Sequence, residues 1–119
     1  MKQYNNRLEV VLEVIGGKWK AYILYHLTRG PIRTGELKRL VTGISQKMLT
    51  VQLKELERDG LITRKTYDQV PPRVEYALTE YGESLKEVLQ VLCKWGGDYL
   101  KHRYPNGEVS VKNQDDIIG

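Results

Sequence analysis

A chain of 119 residues with a formal charge of +4 and a pI near 9.2 fits one domain, with a core small enough that a second copy would help bury apolar surface, and it favours an anionic partner. Its one cysteine, Cys93, excludes an intrachain disulfide and a cysteine-built metal site within one chain. The opening "MKQYNNRLEV" lacks a signal peptide's apolar run and no window reaches the roughly 20 apolar residues of a membrane span, so a cytoplasmic protein without membrane attachment is expected.

In chain order, "RLEVVLEVIGG" sets Leu8, Val11, Leu12 and Ile15 at helical spacing, predicting an amphipathic helix over 7–15 that Gly16 and Gly17 end. "KWKAYILYHLTRGP" resumes with Trp19, Ile23, Leu24 and Leu27 on one face, a core helix stopped at Gly30-Pro31. "RTGELKRLVTG" carries Leu37, Leu40 and Val41 opposite basic Lys38 and Arg39, and Gly43 suits a left-handed cap. Ser45 is the N-cap of "SQKMLTVQLKELERDG", where Leu49, Leu53 and Leu56 share a face and Gly60 closes the helix. Two helices joined by "TGIS" form a helix-turn-helix candidate.

The apolar period then shortens to that of a strand. "LITRKTY" and "RVEYALT", rich in β-branched and aromatic residues, predict an antiparallel hairpin around "VPP". After Thr79, a second N-cap, "EYGESLKEVLQVLCKWGGDYLKHRY" places Leu85, Val88, Leu89, Leu92, Gly96 and Tyr99 along one stripe of a long helix loosened at Gly96-Gly97. The predicted fold is mainly α with a small β-hairpin: a single winged helix-turn-helix domain over 1–104 with added helices at 7–15 and 79–104. The segment 105–119, with turn residues and little periodicity, reads as a flexible or loosely docked tail.

The block from "IGGKWKAYILYHL" through "ISQKMLTVQLKELERDGLI" to "VPPRVEYALTEYG" strongly resembles the HxlR-type family of bacterial winged helix-turn-helix transcriptional regulators, relatives of the MarR group, from about Leu12 to Trp95. The resemblance implies a homodimer on operator DNA, with the N- and C-terminal helices as the dimer interface. Many members carry a cysteine just before the first helix, which in several of them senses electrophiles or oxidants. This chain has Tyr4, Asn5, Asn6 and Arg7 there, so a thiol switch at that place is not available.

On the second helix of the pair, Lys47, Thr50, Val51, Lys54 and Arg58 lie opposite the leucines, with Gln46 at the exposed first turn. The ordinary reading is a solvated face. A recognition helix reads bases with its early residues, which suits Ser45, Gln46 and Thr50: Gln pairs with adenine, Lys with guanine, and Val51 or the Thr50 methyl meets a thymine methyl. Lys54 and Arg58 suit phosphates, as do Lys38 and Arg39 of the first helix. In the hairpin, strand alternation separates Arg64 and Thr66 from Lys65 and Tyr67, while the stiff "VPP" tip offers Gln69 and Arg73 to the DNA backbone or minor groove. The competing reading of the prolines is a blunted hairpin edge.

Val10, Val11, Val14 and Ile15, with Leu85, Leu89, Leu92, Trp95 and Tyr99, exceed the needs of a small three-helix core. Paired about a two-fold axis they would set two recognition helices roughly 34–36 Å apart, one DNA turn. His26 and His102 have no neighbouring triad or metal pattern, Gly16-Gly17-Lys18 lacks the rest of a phosphate loop, and Cys93 reads as a buried thiol. The expectation is therefore no enzyme, no metal and no cofactor, and no motif names a small-molecule effector. The sequence predicts a homodimeric repressor of a pseudo-palindromic operator on double-stranded DNA; a winged helix used as a protein-interaction module is the alternative.

Overall fold

The computed structural model describes residues 1–112; residues 113–119 of the predicted tail lie outside it. Asn6 opens α1 (Arg7–Ile15), its side-chain oxygen accepting from the Glu9 amide at 2.8 Å. α1 ends at Gly16, where a Cβ would sit 2.0 Å from the Leu12 carbonyl oxygen, so no other residue fits. α2 (Lys20–Leu27) follows, then β1 (Ile32–Arg33) and α3 (Thr34–Leu40). The turn out of α3 passes through Gly43 at φ +92°, a conformation that costs glycine nothing. Ser45 caps α4 (Gln46–Arg58), its hydroxyl accepting from the Met48 amide at 3.0 Å.

β2 (Ile62–Tyr67) and β3 (Arg73–Leu78) form the predicted hairpin, and β1 joins it in an antiparallel sheet of order β1-β3-β2. β1 is an addition to the predicted elements. Two residues after Gly30-Pro31 are too few to show alternation, yet Ile32 pairs with Tyr76 and Arg33 with Glu75. The architecture is the winged helix-turn-helix, mainly α with a small sheet.

Thr79 does not start the last helix. Its hydroxyl donates to the Gly60 carbonyl at 2.7 Å and accepts from the Gly82 amide at 2.9 Å, which caps a 3₁₀ turn, Gly82–Ser84. α5 therefore runs over Leu85–Arg103 rather than from 79, and it is unbroken at Gly96-Gly97. Its predicted single stripe is two faces. Leu89 is buried in the chain's own core at 4% exposure with Leu85 packed beside it, whereas Val88, Val91, Leu92, Trp95 and Tyr99 are exposed. Among the described residues no helix is long and apolar enough to cross a membrane.

The core sits between α2, α3, α4 and the sheet: Ile23, Leu24 and Leu27 meet Leu37, Leu49, Leu53, Leu56, Ile62 and Tyr76. Each fully buried leucine or isoleucine contributes roughly 2 kcal/mol of transfer free energy. Lys20 is also buried, at 8% exposure, and its ammonium lies 2.6 Å from the Glu55 carboxylate of α4. The hydrogen bond from Lys20, and then its charge, hold the Glu55 carboxyl below its ordinary value of 4.5. A folded-state value lowered in this way stabilises the fold in full above about 4.5 and is lost as pH falls through the folded-state value.

The two ends of this pair are not equivalent, because Glu55 keeps access to water and Lys20 does not. Glu55→Gln leaves a buried ammonium without its anion; Lys20→Met removes the charge and keeps the bulk. Glu55→Gln is expected to lower the denaturation midpoint more than Lys20→Met does, and equal losses would refute the asymmetry. Melting curves across pH add a second check: the difference between wild type and Glu55→Gln should shrink on acidification below about 4.5.

Candidate nucleic-acid interface

With Leu49, Leu53 and Leu56 fixed inward, helical geometry turns Gln46, Lys47, Thr50, Val51, Lys54 and Arg58 to solvent, and all six are exposed. Ser45, the N-cap, is exposed beside them. Thr50 donates its hydroxyl to the Gln46 carbonyl at 2.9 Å, and the Gln46 amide reaches the Thr50 oxygen at 3.4 Å. The amide and hydroxyl thus share one edge of the first two turns, where a major-groove helix meets base edges. Arg58 leans toward Asp59 at 3.4 Å, which spends part of its charge at the far end.

The register of the hairpin sorts its cations by face. Arg64 lies opposite Tyr76, on the side that faces α4, and with Thr50, Lys54 and Glu57 it lines a depression of about 410 Å³. Helix and wing therefore meet at one basic groove. Lys65 pairs with Glu75 and Tyr67 with Arg73 on the opposite side. Arg33 of β1 arrives on the same side through its pairing with Glu75.

Arg73, predicted at the wing tip, is the first residue of β3 and is half-buried. Its guanidinium lies 4.5 Å from the Tyr67 ring centre and donates through Nε to the Glu75 carboxylate at 2.9 Å. Tyr67 donates its hydroxyl to the same carboxylate at 3.2 Å. Burial pushes the Glu75 carboxyl up, but the bonds from Arg73 and Tyr67 outweigh it and hold the group below its ordinary value. Gln69 sits at the tip, and with Arg33, Thr34 and Arg73 it lines a second depression of about 330 Å³.

Lys38 and Arg39 are exposed on α3, Arg39 in an ion pair with Glu36. Arg33 is a surface candidate that the sequence reading missed, because the strand that carries it was not predicted, and Thr34 follows it as the first residue of α3. No local pattern signals Arg33, whose strand exists only through the pairing of Ile32 and Arg33 with Tyr76 and Glu75.

The interface candidates divide differently. Val10, Val11, Leu92, Trp95 and Tyr99 are exposed, Val14 and Leu85 pack half-buried against the core, and Leu89 is inside it. Leu8, Leu12 and Val91 widen the exposed apolar surface, each at least 60% exposed.

Residues 14–104 match the family model described as HxlR-like helix-turn-helix. The chain is 53% identical over 117 residues to YkvN of Bacillus subtilis (strain 168), named an uncharacterized HTH-type transcriptional regulator, with 98% of this chain and 99% of YkvN aligned. YtcD of the same organism, named in the same terms, is 59% identical over 103 residues, covering 87% of this chain and 82% of YtcD. The crystal structure of YtcD superposes with a TM-score of 0.77 over 81% of this chain and 98% of that one, at 58% identity. The redox regulator HypR in its reduced form gives a TM-score of 0.79 at 43% identity, over 84% of this chain and 99% of HypR. The fold, the exposed face of α4 and these matches converge: the chain belongs to the HxlR-like helix-turn-helix family and is a transcriptional regulator with a helix-turn-helix domain.

Proposed function

We propose that the chain is a homodimeric repressor that occupies a pseudo-palindromic operator on double-stranded DNA in the cytoplasm. The observation that carries this reading is the exposed edge of α4, where Gln46 and Thr50 lie together ahead of Lys54, with Arg64 of the wing across the groove. Gln46, Thr50 and Val51 read bases, while Lys38, Lys47, Lys54, Arg64 and Lys65 neutralise phosphates. Ser45 fixes the helix start, Arg39 and Arg58 add charge shared with Glu36 and Asp59, and Gln69 and Arg73 approach the backbone from the wing.

Two copies join through the exposed faces of α1 and α5. The radius of gyration, 16.0 Å, exceeds the roughly 13.5 Å of a compact chain this long, in keeping with terminal helices that extend from the core. Trp95 and Tyr99 stack with ring centres 5.4 Å apart while both remain exposed, a flat apolar surface that a second copy would cover. Such a face on both protomers gives an isologous interface.

Binding to fragments upstream of its own gene, measured against random duplex across a salt series, tests the regulator reading. Preference for specific fragments with affinity that falls as salt rises is expected; no preference and no salt dependence would sink it. Gln46→Ala and Thr50→Ala should relax base preference, whereas Lys54→Ala should weaken all duplexes and lower the salt slope by about 1.

Glu75→Gln should release Arg73 and so strengthen binding to random duplex and steepen its salt dependence. Unchanged binding would mean that Arg73 stays away from DNA. Trp95→Lys should convert the dimer to monomers in sedimentation, and a dimer that survives would place the interface elsewhere.

A further inference from the structure

The contact between α2 and the end of α3 turns on one histidine. His26, in the last turn of α2, is half-buried between two rings: Tyr22 stacks on it with centres 5.3 Å apart and planes 21° from parallel, and Tyr25 meets it edge-on at 5.0 Å. The Leu40 carbonyl at the end of α3 faces the ring and also accepts from the Thr42 amide at 3.1 Å, so it belongs to the turn that leads into α4. The His26 Nε2 is buried and has no hydrogen-bond partner among the described residues. A bare imidazole nitrogen tolerates that position, since it leaves only one lone pair unmatched. A protonated one is a charged donor with nothing to receive its bond.

The surroundings oppose a positive charge on this ring. Burial holds His26 below its ordinary value of 6.5, the charge of Arg29 just past α2 acts in the same direction, and the Leu40 carbonyl works against both. Among the described residues no carboxylate acts on the ring to stabilise an imidazolium. Lys38 and Arg39 of α3 are exposed. Toward α5, Tyr22 and Tyr25 share a depression with Cys93 and Leu100, and the charged group that lines it is Lys112. The neighbouring charges are thus cationic. Because the folded-state value is lowered, the neutral ring stabilises the fold in full above about 6.5, and that contribution is lost as pH falls through the folded-state value.

We propose that His26 is a pH-sensitive joint between α2 and the helix-turn-helix: neutral, it holds the end of α3 against α2, and on protonation it frees that end and the turn into α4. A charged Nε2 must be hydrated, and water reaches the closed space between the rings only when the imidazole or the end of α3 moves away. Leu40 is five positions before Ser45, the cap of α4, so the start of α4 shifts with the turn and affinity for DNA falls on acidification. That consequence rests on the regulator reading; the joint itself does not.

Nuclear magnetic resonance on the full chain, followed from about pH 7.5 to about pH 5, tests the joint without DNA. The His26 ring should titrate below 6.5, and the amide signals of Val41, Thr42 and Ile44 should move with the same midpoint. His26→Phe keeps an aromatic ring and takes up no proton, so in that variant these amides should stay still and the melting midpoint should fall less over the same range. A ring that titrates at or above 6.5, or turn amides indifferent to its titration, would overturn the proposal. Both readings come from wild type alone, which decides the matter if His26→Phe does not fold. With DNA upstream of its own gene, the affinity of wild type should drop by about fivefold more than that of His26→Phe between the two pH values. His102 is common to both proteins and cancels in the comparison. Equal drops would overturn the link from the joint to DNA, whereas wild type without specific DNA binding at the higher pH would count against the regulator reading and not against the joint.

Discussion

A buried ammonium group persists only where an anion reaches it, and the orientation of α4 is tied to that constraint. Lys20 reaches Glu55 at 2.6 Å from inside the core, one turn beyond Val51 on the same helix. Apolar packing of Leu49, Leu53 and Leu56 fixes which face of α4 points inward, but it tolerates small rotations and slides along the axis. A charge pair with one buried partner tolerates them poorly, because any lengthening leaves the ammonium uncompensated. The register of α4 against α2 is thereby pinned, and with it the direction of Gln46 and Thr50. α2 is the hub of this arrangement, since Ile23, Leu24 and Leu27 join the same core that receives Leu89 of α5.

Net charge understates how the surface is organised. Arg39, Arg58 and Arg73 each face a carboxylate, from Glu36, Asp59 and Glu75. Lys38, Lys47, Lys54 and Arg64 make no ion pair among the described residues. These four place uncompensated charge along α3, α4 and the α4 side of the wing. Where the strands run into the wing loop, Arg73 ties Tyr67 and Glu75 into one block across the hairpin. In a groove of modest charge, placement of donors rather than total attraction must supply discrimination.

The helical elements were legible because each carries its own punctuation. Ser45 before the leucine repeat of α4 and Gly43 in the preceding turn state their roles locally, and the structure gives the cap bond and the positive φ. The short strand β1 was not legible, since Ile32 and Arg33 become a strand only by pairing with Tyr76 and Glu75, some forty positions away. Thr79 misled for a related reason. A threonine ahead of a polar turn looks like an α-helical cap, but its hydroxyl is engaged by the Gly60 carbonyl, and the chain makes a 3₁₀ turn before α5 begins. Arg73 was assigned to the tip from the prolines before it, whereas its partners Tyr67 and Glu75 are set by hairpin register. The pairing of Lys20 with Glu55 joins residues thirty-five positions apart, and no local pattern announces it.

The division of α5 into two faces shows how one apolar pattern can hide two tasks. Leucines and valines spaced three and four apart look like a single stripe, yet at 100° per residue Leu85, Leu89, Cys93 and Gly96 follow one side while Val88, Val91, Trp95 and Tyr99 follow another. Side-chain size separates them. The inward series narrows from leucine to cysteine to glycine before Leu100 restores a large side chain, whereas the outward series runs from valine to tryptophan and tyrosine. A helix serving only its own core would keep large residues inward and polar ones outward. Here Cys93 and Gly96 border an open groove on one side while Trp95 and Tyr99 present aromatic surface on the other, along one helix of nineteen residues. Leu89 anchors this helix to the same core that receives Leu49, Leu53 and Leu56 of α4.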